Sequence, residues 1–444
     1  MLSLTSALFA ALGFSSCMTP STDTPEFTAG RASAQAFGSS VEIPYRLLAP
    51  SRIEEGKRYP VILFLHGAGE RGDDNELQLK HFPERMVTRE RMESFPCFLI
   101  APQCPAGGRW TTDGWGSKNS QRLPSEMTPP MAAAVQALLD VCATYPIDLD
   151  RVYLTGLSMG GYGTFELATR FPDWFAAVAA VCGGGDEKSA DRLVGLPLSI
   201  WHGDRDDAVP VERSRAMMEA LKAMGGDGLA SYRELKDVGH DSWTAAYGDD
   251  GCLEWMFAQR RDPLRRAKAL GELMARSLRA NERLAFLGDS ITQAGAEKGG
   301  YVDVLRGTLQ AVRPEAKVIP AGISGHKVPD LLGREKRDVR DQNASLVFVY
   351  IGINDVWHST SGRGTPKDAF ASGMEELVGR LEGDGGATLA LATPSVIGEG
   401  PLGAGSLDGM LGEYAAITRK LTGAERPLCD LQVRFRDHLR LFNP

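Results

Sequence analysis

Short apolar runs alternate with helically spaced stretches along most of the chain. Val61-Ile62-Leu63-Phe64-Leu65 is apolar throughout, a length that suits a buried strand, and it ends at His66-Gly67-Ala68-Gly69. Cys97 to Ala101 predicts a second strand, closed by Pro102. Met131 to Tyr145 has the spacing of a helix, and Arg151 to Thr155 is again a strand. Helix Gly160–Phe171, strand Phe175–Val181, strand Leu198–His202 and helix Val211–Met224 follow. Such β-α alternation predicts an α/β fold, a parallel sheet with helices on both faces.

Residues 105–130 interrupt the rhythm with Gly, Pro, Ser, Trp110 and Trp115, a loop long enough to be functional or disordered. Between Asp262 and Glu282 the chain is basic and rich in Ala and Leu, which predicts a linker helix, with membrane-surface binding as the alternative. A second β-α series then runs through Leu284–Leu287, Lys317–Pro320, Leu346–Ile351 and Thr388–Ala392. The expected division is 1–36 leader and tail, 37–262 first domain, 263–282 linker and 283–444 second domain.

Composition narrows the class. The chain has 444 residues, 43% of them hydrophobic and 24% charged, which excludes collagen-like, coiled-coil and wholly disordered proteins. A formal net charge of −8 leaves no basic stripe for nucleic acid. No charged residue precedes Asp23, and the apolar run Leu2–Phe14 has the length of a signal-peptide core. Phe14-Ser15-Ser16-Cys17 resembles a bacterial lipobox. An exported protein is therefore expected, periplasmic, secreted or an outer-membrane lipoprotein attached to the membrane through a lipidated Cys17. The seven cysteines form no CxxC pair and no metal spacing, so no metal is expected. Buried thiols are the expectation, although export would permit a Cys97–Cys104 bridge.

Gly156-Leu157-Ser158-Met159-Gly160 is G-x-S-x-G between a strand and a helix. The glycines permit a tight turn that lifts the serine hydroxyl above the sheet. A hydroxyl needs a base to take its proton, and the base needs an orienting carboxylate. Both candidates follow at strand-end loops, within His202-Gly203-Asp204-Arg205-Asp206-Asp207-Ala208-Val209-Pro210 and Gly239-His240-Asp241-Ser242-Trp243. Together with Leu65-His66-Gly67-Ala68-Gly69-Glu70-Arg71-Gly72-Asp73-Asp74-Asn75, these segments resemble the α/β-hydrolase superfamily. Within it they resemble the esterase group often labelled predicted peptidases, related to dienelactone hydrolases and feruloyl esterases. The resemblance implies Ser158 as nucleophile, His240 as base and Asp206, three residues before Val-Pro, as orienter. It also implies an oxyanion hole from the N–H groups of Met159 and Ala68. His66 is expected to be structural. Trp110, Trp115 and Trp243 are candidates for stacking on a sugar or aryl ring, or for packing. Glu70 and Arg71 either shape the leaving-group side or pair with each other.

A second set begins at Phe286-Leu287-Gly288-Asp289-Ser290-Ile291-Thr292 and continues with Ala321-Gly322-Ile323-Ser324-Gly325 and Gly352-Ile353-Asn354-Asp355. These resemble the GDSL/SGNH hydrolases, which implies a flavodoxin-like three-layer α/β/α domain with Ser290, Gly322 and Asn354 at its site. The family's D-x-x-H block has no match, since Asp437 and His438 are adjacent. His326 and His358 flank the site and could approach Ser290. The expectation is a truncated or degenerate domain, not a competent hydrolase, with an apolar face left exposed.

The whole points to a cofactor-independent serine carboxylesterase for small-molecule or polysaccharide esters, acetyl or feruloyl by resemblance. A serine peptidase of prolyl-oligopeptidase type and a glycan-binding scaffold with vestigial sites are the alternatives. Nothing in the sequence sets the oligomeric state.

Overall fold

The computed structural model describes residues 26–442 apart from Phe37, Asp113, Trp115, Gln121, Ala280, Gly385, 399–406 and Ala424. The leader, Cys17 and Trp115 therefore lie outside the described residues. No helix among the described residues is long and apolar enough to cross a membrane.

The first sheet has eight strands: β1 (Thr28–Ala36), β2 (Ser39–Leu48), β3 (Tyr59–Leu65), β4 (Phe98–Pro102), β5 (Ile147–Leu157), β6 (Ala177–Val181), β7 (Leu198–Gly203) and β8 (Ala230–Leu235). Their order is β1-β2-β4-β3-β5-β6-β7-β8. From β4 to β8 the pairs are parallel, and every residue of β3, β4, β6 and β7 is buried. Continuous apolar strands are what a parallel sheet covered on both faces requires. Two apolar clusters supply the cover, one around Leu63, Leu154, Leu138 and Phe165 and the other around Ile62, Phe64, Tyr153 and Trp201.

Two expectations are corrected here. The sheet is mixed, because β1, β2 and β4 pair antiparallel. Residues 28–36 are also a strand and not a tail. They hold register with β2 from Thr28↔Leu47 to Ala36↔Ser39, with Ala32 turned into the core and Arg31 paired to Glu42 on the outside.

Helix α1 (Pro129–Thr144) starts where Thr128 accepts the Met131 N–H at 3.3 Å and Pro129 opens the first turn. Helices α2 (Met159–Arg170) and α3 (Glu212–Ala223) follow β5 and β7. The next helix, α4 (Pro263–Ser277), is capped by Asp262, which accepts the Arg265 N–H at 3.0 Å.

α4 is not a free linker, because its apolar side chains pack on two cores. Ala269, Leu270 and Leu273 pack on the first core, and the Arg266 guanidinium reaches Asp173 at 2.7 Å. Met274, Ala275 and Leu278 pack on a core of the second domain. The two sets lie on adjoining stripes of one helix.

The second sheet comprises β9 (Arg283–Gly288), β10 (Lys317–Gly322), β11 (Leu346–Tyr350), β12 (Thr388–Ala392) and β13 (Leu428–Cys429), all parallel, in the order β10-β9-β11-β12-β13. This 2-1-3-4-5 arrangement is flavodoxin-like. Helix α5 (Ser290–Gly295) follows β9, α6 (Tyr301–Val312) packs on α4, and α7 (Ile353–Trp357) follows β11. The last helix, α8 (Leu431–Phe442), docks on the first domain. Leu441 is fully buried in that domain's core, and the Arg261 guanidinium lies 4.2 Å over the Phe442 ring. The expected exposed apolar face is thus reduced to side chains such as Val433 and Phe435.

Because Ala275 is fully buried where α4 meets the second core, Ala275→Asp places an unpaired carboxylate in an apolar site. A loss of about 3 kcal/mol is expected in urea unfolding, against little change for the exposed Leu264→Asp.

Candidate active site

Ser158 sits on the turn between β5 and α2 with φ 54° and ψ −118°, a conformation an ordinary L-residue avoids. Glycines make the turn possible. A Cβ at Gly160 would lie 1.8 Å from the Leu65 carbonyl oxygen, one at Gly156 2.5 Å from the Gly160 oxygen, and one at Gly161 2.3 Å from the Val181 oxygen. The Ser158 N–H is tied to the Val181 oxygen at 2.9 Å. Its side chain is thereby presented above the carboxyl ends of the strands.

The structure brings Ser158, His240 and Asp206 together. Ser158 Oγ lies 2.9 Å from His240 Nε2, and His240 Nδ1 lies 2.7 Å from Asp206 Oδ2. An ionised Asp206 can only accept, so Nδ1 carries the proton and Nε2 is free to accept from the serine. Asp206 is well supplied with donors. Its Oδ1 accepts the N–H groups of Ala208 (2.9 Å) and Val209 (2.8 Å), and its Oδ2 also faces His202 Nε2 at 3.2 Å. Burial opposes ionisation, but the contacts from His202, His240 and the Val209 N–H outweigh it and hold the carboxyl well below the usual range.

His202 was not assigned a role from sequence. It is fully buried, with Nδ1 2.7 Å from Ser214 Oγ. Its position four residues before Asp206, at the end of β7, was the available signal.

Met159 is the first residue of α2, so its N–H has no partner within the helix. The Gly67-Ala68 turn abuts the nucleophile: a Cβ on Gly67 would stand 3.6 Å from Ser158 Cβ. Arg71 pins that turn by donating to the Ala68 oxygen at 2.8 Å. The Met159 amide thus adjoins Ser158, and the Gly67-Ala68 turn lies against it.

His66 is structural in its contacts. Nδ1 faces the Gly67 oxygen at 2.6 Å and Nε2 accepts the Cys104 N–H at 2.9 Å. Trp110 is fully buried and donates to the His66 oxygen, so it cannot stack on a substrate. Glu70 does not pair with Arg71. It faces His81, whose Nε2 lies 3.5 Å from Glu70 Oε1. Trp243 packs edge-on to His240 with ring centroids 5.2 Å apart.

Cys182 stands close to the triad, its sulfur within 4.8 Å of ligand atoms of Asp206 and His240. Burial pushes its thiol well up, which disfavours the thiolate that would bind an ion. The bridge Cys97–Cys104 is not formed. Both are free buried thiols, pushed up to about 12 by burial.

In the second domain, Ser290 opens α5, Gly322 ends β10 and Asn354 lies on α7, at the carboxyl ends of three neighbouring strands. Asn354 Nδ2 donates to the His326 oxygen at 3.1 Å. His326 is drawn elsewhere, its Nδ1 accepting from Arg334 Nε at 3.1 Å. Asp437 and His438 face the first domain, in a cleft of about 550 Å³ shared with Phe171, Trp174 and Arg266. Among the described residues, none of the four candidate groups His326, His358, Asp437 and His438 is bonded to Ser290. Burial, with the neighbouring Asp355 charge, raises Asp289 to about 6.

Residues 51–249 match the phospholipase/carboxylesterase family, and residues 286–442 match the GDSL-like lipase/acylhydrolase family. The chain joins two hydrolase-family domains. It is 43% identical over 91 residues to an acetylxylan esterase of Geobacillus stearothermophilus, covering 18% of this chain and 42% of that protein. It is 29% identical over 159 residues to a poly(3-hydroxyoctanoate) depolymerase of Pseudomonas fluorescens, covering 33% of this chain and 54% of that one. A crystal structure of a thermostable esterase shares 35% identity at a TM-score of 0.47, over 53% of this chain and 63% of that one. The chain thus spans less than two thirds of the length of each of these relatives.

The carboxylesterase-family domain carries a pH liability at His66. Burial lowers its pKa from 6.5 to about 4. The folded state therefore favours the neutral ring, and the stability this provides is complete above pH 6.5 and lost as pH falls toward 4. The expected loss is about 3 kcal/mol over that window. An NMR titration should place the His66 ring midpoint near 4; a midpoint near 6.5 would refute the assignment.

Proposed function

We propose that the protein is an exported serine carboxylesterase that removes acetyl or feruloyl groups from polysaccharides through an acyl-enzyme. The observation that carries the reading is the unbroken line from Ser158 Oγ through His240 to Asp206, at 2.9 and 2.7 Å, on a strained turn at a helix start. Ser158 Oγ attacks the ester carbonyl carbon as His240 Nε2 takes its proton. The carbonyl oxygen becomes an oxyanion held by the Met159 and Ala68 amides. His240 then gives the proton to the departing alcohol oxygen, leaving the acyl group on Ser158. Water repeats the sequence and frees the acid. Asp206 fixes the His240 tautomer and steadies the imidazolium without taking the proton. Each oxyanion donor contributes about 3 kcal/mol in such sites.

The two family matches support the ester bond as the target, and the acetylated polysaccharide is drawn from the named activity of the Geobacillus relative, which aligns with this chain over 91 residues. The export reading is supported by the apolar run Leu2–Phe14 ahead of Cys17. Intact mass of the processed protein from membrane and soluble fractions tests it.

Hydrolysis of 4-nitrophenyl acetate by the full chain tests the chemistry. Ser158→Ala is expected to lower kcat by about 10⁴-fold or more, and Asp206→Asn by about 10⁴-fold. Ser290→Ala should leave turnover intact, because no base among the described residues is bonded to Ser290. Loss with Ser290→Ala and survival of Ser158→Ala would move the esterase to the GDSL-like domain.

A further inference from the structure

The group that protonates a departing alcohol must touch its oxygen, so the alcohol half of the ester leaves past the His240 ring. The surface beside His240 therefore meets that half. It begins with Trp243, perpendicular to His240 at 5.2 Å between ring centroids. Farther along stands His81, its ring 5.1 Å from Trp243 and tilted by 52°. Both rings are only partly buried, and about 31% of the His81 side chain is exposed.

His81 is an unusual residue for its place. Its φ is +72°, a left-handed conformation that glycine or asparagine adopts more readily. The turn itself gives no reason for an imidazole. Two acids hold it there: Glu84 accepts the His81 N–H at 2.9 Å, and Glu70 Oε1 faces Nε2 at 3.5 Å. Glu70 is almost buried. Burial opposes its ionisation, yet His81, the nearby His66 and the Gly67 N–H together hold its carboxyl below the ordinary value. One carboxylate thus ties the oxyanion turn to the wall carrying His81. With Nε2 turned to Glu70, His81 Nδ1 has no partner among the described residues.

We propose that Trp243 and His81, braced by Glu70, form the subsite for the alcohol half of the ester, and that this alcohol is a saccharide. This rests on the esterase reading above. A flat aromatic surface accepts the apolar face of a sugar ring, and a fixed polar atom at its rim selects for a hydroxyl. His81 is a specificity-determining residue here and takes no part in proton transfer. An alkyl alcohol would leave Nδ1 unpaired against an apolar chain, so the subsite discriminates against it.

The test compares two esters of one acid, a mono-O-acetylated methyl pentoside and hexyl acetate, with 4-nitrophenyl acetate as a report on the chemistry. The full chain carries His81→Gly or His81→Asn, both of which suit the left-handed backbone. In His81→Gly the kcat/KM ratio of pentoside to hexyl ester is expected to fall about tenfold, mainly through KM. His81→Asn, which keeps a polar atom at the rim, should recover part of that ratio. An unchanged ratio, an equal loss on both esters through kcat, or a wild type that prefers hexyl acetate overturns the proposal. Absence of Ser158-dependent turnover of 4-nitrophenyl acetate would overturn the esterase reading and the subsite with it, an outcome distinct from the others.

Discussion

The backbone at Ser158 is the constraint on which the first domain turns. A residue with a side chain held at φ 54° and ψ −118° costs of order 1–3 kcal/mol and persists only when its surroundings leave it no alternative. Those surroundings are three glycines whose missing side chains let α2 lie against β3 and β6, within 1.8 to 2.5 Å of where a Cβ would stand. The fully buried strands on either side make that approach rigid. One geometric demand then places the hydroxyl above the sheet, the Met159 amide at the helix start and the Gly67-Ala68 turn beside both. The catalytic machinery is a consequence of how tightly one helix is allowed to approach the sheet.

Asp206 is the electrostatic counterpart of that turn. Its side chain has no solvent contact, and a buried carboxylate without donors would protonate. Two backbone amides and two imidazoles around it remove that penalty. Since the amides come from residues two and three positions ahead, the loop after β7 must fold back on itself before His240 can be oriented. His202 closes that loop from beneath, reaching the Val209 oxygen at 3.0 Å as well as the carboxylate. Loop geometry and charge placement are here the same set of contacts.

What was legible in the sequence follows from these demands. Strands buried on both faces must be apolar throughout, so β3 and β9 announce themselves. The glycine and Val-Pro spacings that mark Ser158 and Asp206 are legible because only particular residues survive those turns. The strand β1 was missed because Thr28–Ala36 contains small and polar residues and lies on a half-exposed edge, where one buried alanine, Ala32, is enough. Helix α4 read as a linker because periodicity shows that a stripe is apolar and says nothing of two cores sharing it. His81 left no trace, since its importance lies in a left-handed turn and in partners 11 and 3 residues away that no spacing rule connects.

The coupling of the two domains follows from α4 and α8 together. α4 contributes side chains to both cores, and α8 returns from the second domain to bury Leu441 in the first. Neither domain can open without exposing apolar surface that the other covers. The folding free energy of the GDSL-like domain is therefore spent partly on holding the first domain's helical face, whatever Ser290 does. Arg266 reinforces the joint from within α4, reaching Asp173 and the Val194 oxygen at 2.7 Å each.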